Sequence, residues 1–231
     1  MIPDLSQFEK QTGVSFKNKD LLKEAFTHRS YLNENPSWPV PHNERLEFLG
    51  DAVLELVVTE ELFKKYPEKP EGELTSFRAA LVNANMLSEV AQELGMNDYL
   101  LLSRGEAKDV GRARQYILAN AFEAFTGALY LDQGYEVVQK FIEAWVLKRL
   151  GEVVSKELFR DPKSLFQERA QEVVGVTPRY DVLKEWGPDH NKHFIVGVYL
   201  GEELVAEGEG PSKQEAQQKA AEAGLIAKGW G

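Results

Sequence analysis

Apolar residues recur at three- and four-residue intervals over 46–65, 74–94, 117–131 and 136–150, the period of helices that bury one face. Breaks separate these stretches at Asn35-Pro36, from Pro67 to Pro70, near Gly95 and between Gly105 and Gly111, where glycine and proline interrupt a helix. Residues 1–150 are therefore predicted to be mostly helical. The pattern changes beyond about 150. The segment LKRLGEVVSKELFRD carries the last of these helices into a short charged linker. Asp161 is the expected N-cap of a new helix, with Pro162 in its first turn, running to about 174. Residues 179–184, 194–200 and 204–209 have strand character, and Gly201-Glu202-Glu203 forms the expected turn between the last two. An Ala-rich helix over 212–228, capped by Ser212, closes the chain. The reading is two domains, 1–155 all-helical and 160–231 in the order α-β-β-β-α.

Acidic side chains interrupt the apolar faces at two places. In NERLEFLGD (43–51), Glu47 and Asp51 are four residues apart; in ILANAFEA (117–124), Asn120 and Glu123 are three apart. Such pairs project from one helix face on neighbouring turns. Leu46, Phe48, Leu49, Ala52, Val53 and Leu54 surround the first pair, and an acid in such a setting costs free energy unless it is paired or ligates a metal. Two acidic helix faces brought together make an oxygen-only pocket, which suits Mg²⁺ or Mn²⁺ rather than zinc. The alternative on local sequence is a helix cap or an ion-pair network with Arg45 and Arg78.

NERLEFLGD, followed about seventy residues later by the second acidic helix, resembles the signature of the ribonuclease III family. FTHRSYLNE (26–34) is similar to the family's first block, EGELTSFRAALVN (71–83) to its third, and the segment from 160 onward to a double-stranded-RNA-binding domain. The resemblance covers nearly the whole chain in the expected order. It implies an all-helical ribonuclease III endonuclease domain followed by a small α-β-β-β-α double-stranded-RNA-binding domain. It also implies Glu47, Asp51, Asn120 and Glu123 as catalytic and metal-site positions, with Glu123 and Asp51 the most direct ligands and Glu47 orienting the metal and its waters. Position 120 departs from the pattern, being usually Asp in the family and Asn here. An amide oxygen still ligates a hard cation, but it removes one negative charge and lowers the expected affinity. Phe48 is implied as an anchor across a homodimer interface. Two centres related by a two-fold axis then cut the two strands of a duplex. Glu44 and Glu71 match acidic family positions and form either an outer electrostatic shell or solvated surface. His28 is read as structural, with Thr27 and Ser30 capping or buttressing the signature helix.

In the second domain, the family positions for RNA contact are Ser164, Gln167, Glu168 and Gln171 on the first helix. His190 lies in the loop after the first strand, and Lys213 opens the last helix. This division matches A-form RNA, whose shallow minor groove exposes 2′-hydroxyls while phosphates line the adjacent major groove. Lys213 is the implied phosphate contact, assisted by the last helix's N-terminal dipole, which attracts the phosphate. Family members usually carry a denser basic cluster there; this chain has Gln214 and Gln217, with Lys219 farther along. The loop at 103–114, SRGEAKDVGRAR, precedes the second acidic helix and either reaches a substrate or is a solvated connector.

Composition narrows the picture. The 231 residues include no cysteine, which excludes thiol catalysis, disulfides and thiolate metal sites and suits a reducing cytoplasm. MIPDLSQFEK has neither a basic n-region nor an apolar h-region, and no apolar run reaches membrane-spanning length, so secretion and membrane insertion are not expected. The net charge is −10. Up to residue 158 there are 18 basic and 25 acidic residues, and after it 9 and 12. Neither part shows a polybasic footprint, which lowers the expectation of tight nonspecific RNA binding without removing the motifs. The expected activity is Mg²⁺-dependent cleavage of double-stranded RNA, leaving 5′-phosphates and short 3′ overhangs, in ribosomal RNA precursors and other structured transcripts. The competing classes are a catalytically silent RNA-binding protein of the same fold and a helical protein–protein scaffold.

Overall fold

A computed structural model of the chain describes residues 2–157, 159–188 and 192–230. It divides into two compact units, 1–159 and 160–231. His190 lies outside the described residues.

The first unit is helical. Three short helices, α1 (Leu5–Thr12), α2 (Lys19–Ala25) and α3 (Arg29–Glu34), begin at side-chain caps supplied by Asp4, Asn18 and His28. The long helices α4 (Glu44–Lys65) and α7 (Arg112–Gln133) pack against each other. Between them in sequence lie α5 (Glu71–Val82) and α6 (Ala84–Glu93), with α8 (Tyr135–Trp145) and α9 (Leu150–Ser155) after them. The apolar period over 74–94 predicts one helix, and the structure makes two. Asn83 ends α5 in an extended conformation (φ −70°, ψ 158°), and its side chain accepts from Met86 N at 2.9 Å to start α6. A 3-10 turn at Leu147–Arg149 likewise divides the expected 136–150 helix. The core gathers Leu54, Val57, Val58 and Leu62 of α4 with Phe122 and Phe125 of α7. Phe8 and Phe16 meet Phe125 edge-on, each with centroids 5.4 Å apart.

The second unit runs α10 (Pro162–Val174), β1 (Arg179–Trp186), β2 (His193–Leu200), β3 (Glu203–Gly210) and α11 (Lys213–Lys228). Asp161 and Ser212 cap the two helices, as their sequence positions predict. The strands form an antiparallel sheet in the order β1-β2-β3. Val198 and Leu200 bury their side chains against Phe166 and Ala170 of α10 and Ala220, Ala221 and Leu225 of α11. β3 approaches α11 closely at Gly208, where a Cβ would stand 2.2 Å from Ala220 N.

Candidate functional site

Two glycines create the site. A Cβ on Gly50 would lie 1.7 Å from the carbonyl oxygen of Glu123, and one on Gly127 would lie 2.3 Å from that of Leu46. Without side chains at these points, the backbones of α4 and α7 touch. The contact holds Glu47 and Asp51 against Asn120 and Glu123, the four residues the acid spacing singles out. Neither glycine carries periodic apolar signal. Their sequence trace is only that each falls on a helix face expected to be buried, within four residues of a carboxylate.

The electrostatics record the crowding. Burial, then repulsion from Asp51 and Glu47, pushes the Glu123 carboxyl up to about 8. Burial and the Glu44 charge raise Glu47 above the usual carboxylate range, opposed by a hydrogen bond with Asn120. Glu44 thus acts on the cluster, whereas Glu71 opens α5 and accepts from Thr75 Oγ at 2.9 Å. Arg78 donates to Thr59 Oγ at 3.0 Å, and the Arg45 charge acts on Glu24, opposing the burial that raises that carboxyl. Among the described residues, no ion pair reaches Glu47, Asp51 or Glu123, so the ion-pair alternative for these acids finds no support.

The entry to α4 is fixed by the block before it. Asn43, buried, donates its backbone N–H to Thr27 O at 2.9 Å and its side-chain amide to Ala25 O at 3.2 Å. Thr27 therefore buttresses the signature helix. Ser30 does not: its hydroxyl accepts from Ser103 N at 3.0 Å and steadies the loop ahead of α7. His28 caps α3, and burial lowers its pKa.

Phe48 projects away from the core, 83% exposed, on an α4 face that also exposes Leu56 and Phe63. Beside it opens a cavity of about 640 Å³ lined by Leu21, Glu24, His42, Arg45, Leu49 and Leu131, among others.

In the second unit, Ser164, Gln167, Glu168 and Gln171 share one exposed face of α10. Ser164 is tied to Asp161 Oδ2 through both N–H and hydroxyl, each at 3.0 Å, and Gln171 donates to Thr177 Oγ at 2.7 Å. Lys213 is exposed at the start of α11, its Nζ 5.7 Å from the centre of the Phe194 ring. Lys163 joins the two helices by donating to Gln217 Oε1 at 2.7 Å. It stands as a cation beside α11 that sequence spacing did not single out.

An all-helical unit with paired carboxylate helices and a separate α-β-β-β-α unit define a nuclease joined to an RNA-binding module. Comparison with known proteins agrees. Residues 18–150 match the ribonuclease-III-like family model, and residues 162–227 match the double-stranded RNA binding motif. A Ribonuclease 3 of Nitratiruptor sp. is 48% identical over 225 residues, 96% of this chain and 95% of the relative. One of Borreliella afzelii is 44% identical over 223 residues, 96% of this chain and 91% of the relative. The solved nuclease domain of a Campylobacter jejuni ribonuclease III superposes with a TM-score of 0.57 at 39% identity, covering 63% of this chain and 97% of that domain. The chain belongs to the ribonuclease III family, with an endonuclease domain and a double-stranded-RNA-binding domain. No helix among the described residues is long and apolar enough to cross a membrane.

Proposed function

We propose that the protein is a divalent-metal-dependent endoribonuclease that cleaves both strands of duplex RNA as a homodimer. Its products carry 5′-phosphates and short 3′ overhangs, and its substrates are ribosomal RNA precursors and other structured transcripts of the cytoplasm. The observation that carries this reading is the Gly50–Gly127 crossing, which presses a half-buried Glu123 against Asp51 and Glu47, whose charges repel it.

Among the described residues, no three His, Cys, Asp or Glu side chains stand close enough together to hold a metal ion by themselves. The fit is one of donor chemistry: three carboxylates and an amide oxygen, all hard ligands, suit Mg²⁺, with Mn²⁺ as a substitute. Glu123 and Asp51 would hold the ion, and Glu47 and Asn120 would complete its surroundings. When bound, the ion polarises the phosphate, offsets the charge of the transition state and makes water a better nucleophile. The chain's own residues set the conditions. Glu123, whose carboxyl is pushed up to about 8 in the folded chain, would hold the ion as its carboxylate, because only that form ligates well. The Asn120 amide donates to the Glu47 carboxylate and fixes its orientation.

The exposed Phe48, the apolar face it shares with Leu56 and Phe63, and the adjoining cavity support a second copy of the chain as the dimer partner. In the second unit, the α10 face presents neutral donors and acceptors to the minor groove. His190 supplies the second patch, and Lys213, assisted by Lys163, meets the phosphates.

A long RNA duplex incubated with the purified protein, with and without Mg²⁺, tests the reading, with Glu123→Gln as control. Cleavage only with Mg²⁺, abolished in the variant while duplex binding survives, is expected. Retention of the duplex without cleavage would favour a silent RNA-binding protein, for which the lost charge at Asn120 is the motivating feature. Wild-type cleavage by the variant in Mg²⁺ would refute the metal-site assignment.

A further inference from the structure

Among the described residues, four polar ones are buried: Thr27, Asn43, Ser88 and Thr126. Ser88 and Thr126 turn their hydroxyls to carbonyls of their own helices, at Asn85 (2.8 Å) and Phe122 (2.9 Å). Thr27 and Asn43 instead tie separate segments together, and the ties meet at the start of α4. Asn43 stands at the N-cap of that helix, where asparagine normally adopts an extended conformation and accepts an N–H from the second or third helical residue. Here it does neither. Its backbone is already helical (φ −76°, ψ −7°), and its side chain makes no cap bond. The amide is turned backward and donates at 3.2 Å to the carbonyl of Ala25, the last residue of α2. A residue suited to capping the helix serves as its tether.

The point of attachment is itself fixed. Leu101 N donates to Phe26 O at 2.9 Å and His28 N to Leu101 O at 3.1 Å, so the backbone around Thr27 is clasped from one side. On the other, Thr27 O accepts from Asn43 N at 2.9 Å. The Thr27 hydroxyl donates to Lys23 O at 2.7 Å and accepts from Trp38 Nε1 at 3.1 Å, which binds the connection between α3 and α4 to the same residue. Beyond the tether, Asn43 O accepts from Glu47 N at 2.9 Å. Glu47 is thus joined directly to Asn43 within the first turn of α4, where a helix has fewest backbone bonds of its own. The Gly50–Gly127 contact lies about a turn farther on and fixes the approach of Asp51 and Glu123. It leaves the first turn to be held by its own end.

We infer that Asn43 is a positioning residue that sets the place of the Glu47 carboxylate in the metal site, by locking the first turn of α4 to the end of α2. This rests on the nuclease reading of the Glu47, Asp51, Asn120 and Glu123 site. Buried as it is, Asn43 acts through Glu47 rather than on RNA. Serine would cap α4 as well as asparagine does, but its hydroxyl ends one bond short of the amide nitrogen that reaches Ala25. Misplacing a reacting group by about 1 Å costs on the order of a hundredfold in rate, and residues that orient metal ligands contribute about ten- to a hundredfold to affinity or activity. The grip on RNA is assigned above to the second unit. Loss of the tether therefore lowers the rate at saturating RNA and weakens metal binding, and leaves KM nearly unchanged.

The test uses the full chain, a long RNA duplex and Asn43→Ser. The rate at saturating RNA is expected to fall about ten- to a hundredfold, with KM within about twofold. Calorimetric titration with Mg²⁺ alone is expected to show binding about tenfold weaker. The deciding comparison repeats both measurements in a Glu47→Gln background. There Asn43→Ser is expected to add nothing, because the carboxylate through which it acts is already gone; where turnover is too slow to follow, calorimetry decides. A general loss of stability would instead lower both backgrounds alike. Should Asn43→Ser fail to fold, Trp38→Phe takes its place. It removes the donor to Thr27 at a half-buried position and is expected to give the same non-additivity at smaller amplitude. Unchanged rate and metal affinity in the variant, or equal losses in the two backgrounds, would overturn the inference while an inert Glu123→Gln control leaves the metal-site reading standing. A Glu123→Gln control that cuts normally would overturn both.

Discussion

Replacing Glu123 by Gln should stabilise the metal-free protein at neutral and alkaline pH while destroying its response to metal. In the folded chain the Glu123 carboxyl is pushed up to about 8, from the 4.5 of an unperturbed side chain. The folded state therefore holds this proton more tightly than the unfolded state. Its stabilising effect is complete below about pH 4.5 and is lost progressively as pH rises toward 8. Each pH unit in that window removes about 1.4 kcal/mol. The loss from this one group reaches about 3 kcal/mol at pH 7 and approaches 5 kcal/mol above pH 8. Glutamine has the shape of the protonated acid and no charge to expose, so the variant escapes the loss.

Thermal unfolding in chelator, followed by circular dichroism at fixed protomer concentration, reads the difference. At pH 5 the two proteins should melt together, within about 1 kcal/mol. At pH 7 the variant should melt about 6–12 °C higher, using the 2–4 °C per kcal/mol typical of chains this long. Adding Mg²⁺ at about a hundred times its dissociation constant should stabilise the wild-type protein by about 2.7 kcal/mol and leave the variant unmoved. A gap of the same size at pH 5 and pH 8, or an equal response to Mg²⁺, would refute the picture of Glu123 as a crowded, ion-seeking acid.

Asn120→Asp should reduce the Mg²⁺ concentration for half-maximal cleavage by about tenfold, the effect of one added charge near a divalent ion; an unchanged or higher requirement in a metal titration would place residue 120 outside the ion's surroundings or show a site already organised around an amide. Gly50→Ala should cost about 3 kcal/mol or more, because its Cβ meets the backbone of Glu123, whereas Gly72→Ala, with nothing within 4 Å, should be neutral or slightly stabilising; equal melting temperatures for the two would show that the helix crossing is not tight. Phe48→Glu should shift the protein from dimer to monomer in sedimentation equilibrium, and an unaltered dimer would move the interface elsewhere. Removing residues from 160 onward should weaken duplex binding more than it harms chemistry, with cleavage recovered at low salt or in Mn²⁺ because phosphate contacts strengthen as salt falls; a folded, dimeric and inert truncation would count against the division of labour.

The long elements were legible because their physical signal is long. α4 and α7 run 22 residues each, and their apolar periods extend over 46–65 and 117–131, while Asp161-Pro162 and Ser212 announce their helices by capping chemistry alone. The helices before residue 35 run six to eight residues, too short for a period to show, and depend on caps at Asp4, Asn18 and His28. Asn83 escaped notice for a different reason. The apolar period continues across it, so only the side chain's exchange of one helix end for another marks the break. The acids at 47, 51, 120 and 123 stood out because burying charge is costly, but what joins them is Gly50 against Gly127, where the information is the absence of a side chain. Ser30 was read toward the wrong neighbour because its partner, Ser103, lies 73 residues away.

Asn120 is best understood from the crowding it relieves. The Gly50–Gly127 contact fixes how closely the two acidic faces approach, so repulsion among them cannot be relaxed by letting the helices drift apart. Glu123 already answers by holding a proton, and Glu47 is raised as well. A fourth carboxylate at 120 would add to both shifts in the metal-free protein. The amide instead donates to Glu47 and offsets part of the rise that burial and Glu44 give its pKa, while its carbonyl oxygen remains chemically suited to a hard cation. One neutral residue thus exchanges ion affinity for stability when the ion is absent. On this account, Asn120→Asp tightens metal binding and lowers the melting temperature in chelator at pH 8, and the two changes must appear together; a tighter site with unaltered stability would mean that the Asn120–Glu47 bond carries none of the relief.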